Sequence, residues 1–106
     1  MIIYTDRMPK RFAGYTIGPV ILIRPKYKDD AGLLAHEQKH VEQFWAAPVL
    51  HGVMYRFSKG YRLKSEVEAY QAQIECGMDI NRAAKFLSGK YNLGISVDAA
   101  VDLLTV

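Results

Sequence analysis

The stretch Asp30-Ala31-Gly32-Leu33-Leu34-Ala35-His36-Glu37-Gln38-Lys39-His40-Val41-Glu42-Gln43-Phe44-Trp45 decides how the rest of the chain is read. Asp29 and Asp30 stand just ahead of it as N-cap residues, whose carboxylates accept from the free N–H groups of a first helical turn. From Ala31 the pattern is helical as far as Pro48, with Leu34, Val41 and Trp45 on one stripe and Leu33, His40 and Phe44 on its neighbour. Two apolar stripes predict a helix set into the core, with Phe44 and Trp45 buried in it.

Inside this helix His36-Glu37-Gln38-Lys39-His40 is an HExxH sequence. Residues four apart on a helix lie on one face about 5 to 6 Å apart, so two imidazoles converge on one metal ion. Glu37 then stands beside that ion as a carboxylate able to take and return a proton, the arrangement that metal-assisted hydrolysis requires. The bland alternative places both histidines on a solvated edge of the helix.

Three protein ligands and one open position are the rule for catalytic zinc, so a third ligand is needed. His51 lies eleven residues after His40, a rise of about 16 Å along a continuous helix, and only a sharp kink at Pro48 brings it back. A plan with glycine three and histidine six residues after His40 fails, because Gln43 and Ala46 occupy those places. A carboxylate from the next long helix is therefore expected. Glu68 is flanked by Lys64, Gln71 and Glu75 on a polar face, whereas Glu66 is flanked by Leu63, Ala69, Tyr70 and Gln73 at the edge of the apolar one. An inward carboxylate without a lysine beside it needs a metal or a hydrogen-bond network, which favours Glu66 over Glu68. The competing assignment pairs Glu66 with Arg62 four residues earlier.

Around these helices, 2–5, 15–17 and 20–24 are strand-like, and Pro19 and Pro25 place the last of them at an edge or hairpin corner. Shorter helices are predicted over 49–57, over 63–77 after a break at 58–60 and with Gly77 as cap, over 79–87 closed by Gly89, and over 96–104. The class is α+β, with short N-terminal strands packed on a helical core and the HExxH helix central. The 106 residues suit one domain with one shallow site. A single cysteine, Cys76, excludes a stapled secreted scaffold and is expected to be a small buried apolar residue. The first 24 residues hold Asp6, Pro9, Gly14 and Pro19 without a continuous apolar run, so no signal peptide, no membrane span and a cytoplasmic address are expected. The net charge of +3 is spread along the chain. Lys10, Arg11, Arg24, Lys26 and Lys28 could line a basic edge, yet a solvated face is its usual meaning and no nucleic-acid partner is expected.

HEQKH followed 26 residues after its second histidine by Glu66-Val67-Glu68-Ala69-Tyr70 resembles the gluzincin branch of zinc metallopeptidases, in which a second helix supplies a Glu-x-x-small-Asp pattern. The resemblance implies one zinc ion on His36, His40 and Glu66, with Glu37 as general base and acid and a peptide or protein as substrate. It covers about 35 residues, and in length the chain is similar to the minigluzincins and to small phage- or prokaryote-encoded HExxH proteins, which makes 1–106 a minimal zincin-like domain. The family's aspartate, which supports a ligand histidine, is replaced by Tyr70, whose hydroxyl is a donor or acceptor and not an anion. Tyr55, Tyr61, Tyr70 and His51 are candidates for the oxyanion donor, with Tyr70 and His51 leading by their nearness to the ligand helices. Three alternatives accompany this reading: a non-catalytic structural or regulatory protein stapled by zinc, such as a phage particle component associated with the virion; a latent enzyme covered by 91–106; and a nucleic-acid binder on the basic edge.

Overall fold

In the computed structural model, which describes residues 1–105, the chain begins with three short strands: β1 (Ile2–Tyr4), β2 (Gly14–Ile17) and β3 (Val20–Ile23). Their order is β1-β3-β2, with β1 parallel and β2 antiparallel to β3. Ile17 pairs with Val20 across a two-residue turn whose first residue, Gly18, has φ +57, a conformation that favours glycine. Val20–Ile23 is thus the central strand and not an edge. The two prolines allow this because they lie just outside the paired residues, where no ladder N–H is required.

After a 3-10 turn at Pro25–Tyr27 come α1 (Ala31–Ala46), α2 (Pro48–Phe57), α3 (Lys59–Glu75), α4 (Ile80–Lys90) and α5 (Val97–Leu104). Four side-chain caps set their starts: Asp30 accepts from the Leu33 N–H, Ser58 from Tyr61, Asp79 from Arg82 and Ser96 from Ala99. The expected break at 58–60 is therefore a cap, and α3 starts at Lys59, with Gly60 in its first turn. Its end is a Schellman motif: Gly77, at φ +107, donates to the Ile74 carbonyl and Met78 to that of Gln73. Gly89 does not close α4, which runs on to Lys90. Among the described residues no helix is long and apolar enough to cross a membrane.

Two small apolar cores flank α1 and α3. Ile21, Ile23 and Leu33 join the sheet to α1, with Leu34 and Val41 packed around them. Tyr70, Ala83, Ala84, Leu87, Leu93, Ala100 and Leu104 join α3, α4 and α5. The 91–106 segment is thus no detachable cover: Leu93, Ala100 and Leu104 are core residues, while Val106 lies outside the described residues. Two burial expectations are corrected. Trp45 is 62% exposed and Phe44 only half-buried, because α1 ends one residue later at Ala46 and its last turn runs past the buried positions 33–40 that meet the sheet and α3. Cys76 is exposed as the C-cap residue of α3.

This layout predicts unequal responses to truncation. Leu87→Ala, at a site with no solvent exposure, should cost about 3 kcal/mol in a urea titration, and Trp45→Ala should stay within about 0.5 kcal/mol of the parent. Equal losses would refute the assignment of the core.

Candidate metal centre

Between the two apolar cores, the α1–α3 interface is polar. His36 and His40 from α1 meet Ser65 and Glu66 from α3, and these four, with Glu37 of α1, are buried. Glu66 is 1% exposed, and its carboxylate is shared by both imidazoles. His36 Nε2 lies 3.2 Å from Oε1, and His40 Nε2 lies 3.2 Å from each carboxylate oxygen. One atom from each of His36, His40 and Glu66 falls within 4.8 Å of the others, so the group could hold a metal ion. The assignment of Glu66 by helix face agrees with its burial. Glu68 is half-buried and points to another partner, and Arg62 does not pair with Glu66: it donates to the carbonyls of Tyr55, Arg56, Tyr91 and Asn92.

The outward nitrogens of both histidines meet amide oxygens. His36 Nδ1 is 3.0 Å from Gln73 Oε1, and His40 Nδ1 is 2.9 Å from Gln43 Oε1. The Gln43 amide is fixed by its own NH2 group, which donates to the Ser65 carbonyl and to Glu68 Oε1, so its oxygen faces the ring. An amide oxygen can only accept, so each Nδ1 carries hydrogen; Nε2 donates to Glu66 when it is protonated and is the nitrogen left free for a metal when the ring is neutral. That is the tautomer a metal needs. The two separations from Glu66 to the imidazoles, 3.2 Å each, match the roughly 3.3 Å edge of a zinc tetrahedron with bonds of about 2.0 to 2.1 Å. Two imidazoles and a carboxylate suit zinc in chemistry as well as in distance.

Electrostatics hold the same group together when a proton takes the ion's place. Burial works against charge on His40, but Glu66, then Glu37 and Gln43, outweigh it and raise the pKa from 6.5 to about 9. For Glu66 burial opposes ionisation, and the charge of His40 with the hydrogen bonds from both histidines holds the carboxyl well below its ordinary 4.5. The Tyr55 hydroxyl donates to Glu66 Oε2, and burial, reinforced by Glu66, keeps that phenol protonated far above its ordinary range.

Glu37 is placed differently. It lies against β2, where Thr16 donates to its Oε1 at 2.7 Å, and its Oε2 is 3.9 Å from His36 Nε2. Gly14 makes this approach feasible, since a Cβ there would stand 3.2 Å from Glu37 Cγ and 3.3 Å from Oε2. Both glutamates and both histidines open on a cavity of about 250 Å³ whose far wall includes Phe44, Pro48, His51 and Tyr55. The chain breaks at Ala47, at φ −153 and ψ 77, and α2 turns His51 back to this wall, although His51 is not one of the three clustered donors. Its Nδ1 is 2.7 Å from the Tyr61 hydroxyl.

Tyr70 does not take the expected place. Its ring edge packs on His36 at 4.4 Å and its hydroxyl is 2.7 Å from that of Tyr91, so it neither lines this cavity nor bonds to a ligand. The acceptor for His36 comes instead from Gln73, one helical turn further along α3. Gln43, Gln73 and Thr16 escape sequence reasoning. For Gln43 a signal existed, because a residue three after His40 shares its helix face.

Two measurements follow. Isothermal titration with zinc should show no measurable binding by Glu66→Ala, a loss of about 10- to 100-fold for Gln43→Ala, and a smaller loss for Glu68→Ala; the reverse order for the two glutamates would overturn the assignment. In chelator, the His40 contribution to stability is fully present below pH 6.5 and is lost as pH rises through about 9. The Glu66 contribution is present above its ordinary 4.5 and is lost at lower pH. The metal-free chain should therefore melt highest near pH 5 to 6.5 and lower at pH 9, with stabilisation by zinc growing over that same rise because the ion must displace the His40 proton. A flat profile in chelator would contradict this.

The chain matches no protein-family model, no curated protein and no solved structure.

Proposed function

We propose that this chain is a zinc-dependent peptidase of minimal gluzincin type, with His36, His40 and Glu66 as ligands and Glu37 as general base and acid. The observation that carries the reading is the division of labour between two buried carboxylates. Glu66 faces both imidazoles, while Glu37 stands outside the donor group, held by Thr16 at the cavity wall. A zinc ion bound there would bring the pKa of water toward about 7 and polarise a substrate carbonyl. Glu37, beside that position, takes the proton of the attacking water and returns it to the leaving amine. A purely structural staple has no use for such a base, and it ordinarily closes with a fourth protein ligand, whereas the clustered donors among the described residues number three.

The open side of β2 supports a peptide substrate. The sheet order leaves β2 paired with β3 on one edge only, and Gly14, Tyr15 and Thr16 of that strand line the cavity. An extended peptide can add there by main-chain hydrogen bonds, with its scissile bond brought to Glu37. His51 supplies a donor for the developing oxyanion. Burial, and then the charge of His40, hold its pKa below 6.5, so the ring is neutral at pH 7. Burial, then Glu68, keep the Tyr61 phenol protonated, and in the tautomer where that phenol donates to Nδ1 the ring's hydrogen is on Nε2, free for the oxyanion.

Peptide hydrolysis by zinc-loaded protein tests the reading. Glu37→Gln should retain one zinc per chain and lose activity by about 10²- to 10⁴-fold, and His51→Phe should lower kcat by about 10²-fold with zinc content unchanged. Hydrolysis at equal rates in parent and Glu37→Gln, or none in either, would refute it.

A further inference from the structure

A second cavity, of about 340 Å³, adjoins the first and shares Phe12, Gly14, His36, Glu37 and Tyr91 with it. Its lining has the opposite character from the Phe44 and Pro48 wall. Six cationic side chains line it against two carboxylates, Asp30 and Glu37. Both carboxylates are already engaged, Asp30 by the Leu33 N–H at the cap of α1 and Glu37 by Thr16. Of the cations, Arg24 is paired with Asp6 and spans the carbonyls of Phe12 and Pro9. The ion pairs of lysine and arginine among the described residues are that one and Lys39–Glu42, so Arg11, Arg82 and Lys90 have no carboxylate partner.

These three cations are gathered and not dispersed. Arg11 lies over the Phe12 ring at 4.7 Å, Arg82 over Phe86 at 5.4 Å, and Lys90 over both, at 4.2 Å from Phe86 and 6.0 Å from Phe12. Two aromatic rings thus gather like charges along the lining of one cavity, an arrangement that an anion would relieve. Burial first, and then the neighbouring Arg82, hold the Lys90 pKa below its ordinary value. The size of the cavity suits a side chain or chain end, and its shared wall puts such a group within one or two residues of Glu37.

We infer that this cleft is a carboxylate-binding subsite, in which Arg82 and Lys90, with Arg11, receive an acidic side chain or the free C-terminus of a bound peptide. The inference deepens the peptidase reading and rests on it for the word substrate, but the binding it describes needs no turnover. It divides the site into a cationic arm and an apolar arm on either side of Glu37, so that a peptide with a carboxylate on one side of the reacting bond is preferred over its neutral analogue.

Fluorescence anisotropy decides this with three labelled hexapeptides of one apolar sequence: blocked at both ends, blocked with one glutamate added, and unblocked at the C-terminus. The protein is the full chain with zinc, carrying Glu37→Gln so that no peptide is consumed. At least one carboxylate-bearing peptide should bind about tenfold tighter than the blocked neutral one, and which of them does so separates side chain from chain end. Arg82→Gln with Lys90→Gln should abolish the preference while the chain still melts cooperatively and still binds one zinc, and Lys90→Arg should keep the preference. Equal binding of all three peptides, no binding up to about millimolar concentration, an unchanged preference in the double variant, or tighter capture of a single-stranded oligonucleotide than of any peptide would overturn the inference. Preferential binding of the acidic peptides by the chain, when the parent hydrolyses none of them, supports the subsite and refutes the peptidase reading.

Discussion

A carboxylate almost sealed from water between two imidazoles is the constraint on which this small protein is organised. Ionised Glu66 in a protein interior is tolerated only if its charge is answered and its lone pairs are used. The His36 and His40 Nε2 atoms and the Tyr55 hydroxyl together do both. Because those partners come from α1 and α2 while Glu66 itself stands on α3, satisfying one charge fixes three helices relative to one another. The apolar cores on either side are modest, three buried residues in one and seven in the other, so this polar seam carries more of the architecture than it would in a larger domain.

The same constraint explains the outer ring of residues. Each histidine must present Nε2 inward, and an amide oxygen at Nδ1 enforces it, from Gln43 for one ring and Gln73 for the other. Glu68, outside the His36, His40 and Glu66 group, holds the Gln43 amide in orientation. Glu37 escapes the seam because β2 comes close enough at Gly14 and Thr16 to hold it at the cavity wall. One helix thereby carries a buried carboxylate held apart from the one that its partner helix places between the two imidazoles.

Much of this was legible in the sequence, and for local reasons. HExxH spacing is a property of one helix, the caps at Asp30, Asp79 and Ser96 act over three residues, and the burial of Glu66 follows from which neighbours share its face. What could not be read depends on contacts between distant segments. Tyr70 was expected beside the ligands because of its place in a family pattern, but the ring that packs on His36 sends its hydroxyl to Tyr91, and Gln73 takes the hydrogen bond. Trp45 fell on an apolar stripe, yet a stripe does not say how far along a helix its covering extends, and α1 stops at the next residue. His51 was out of reach on a continuous helix and returns to the cavity because the break at Ala47 redirects α2. The cationic arm joins residues near 11 to residues near 82 and 90, a pairing that charge counting along the chain could not anticipate.

The central claim is that two histidines and one glutamate hold a single zinc ion with a position left for water and substrate. X-ray absorption at the zinc edge of protein loaded with one equivalent tests it most directly. The account predicts a shell of four or five light atoms at about 2.0 to 2.1 Å, with the outer-shell scattering of two imidazoles and no sulfur. A sulfur contribution near 2.3 Å, a single imidazole or none, or a three-imidazole shell would contradict it.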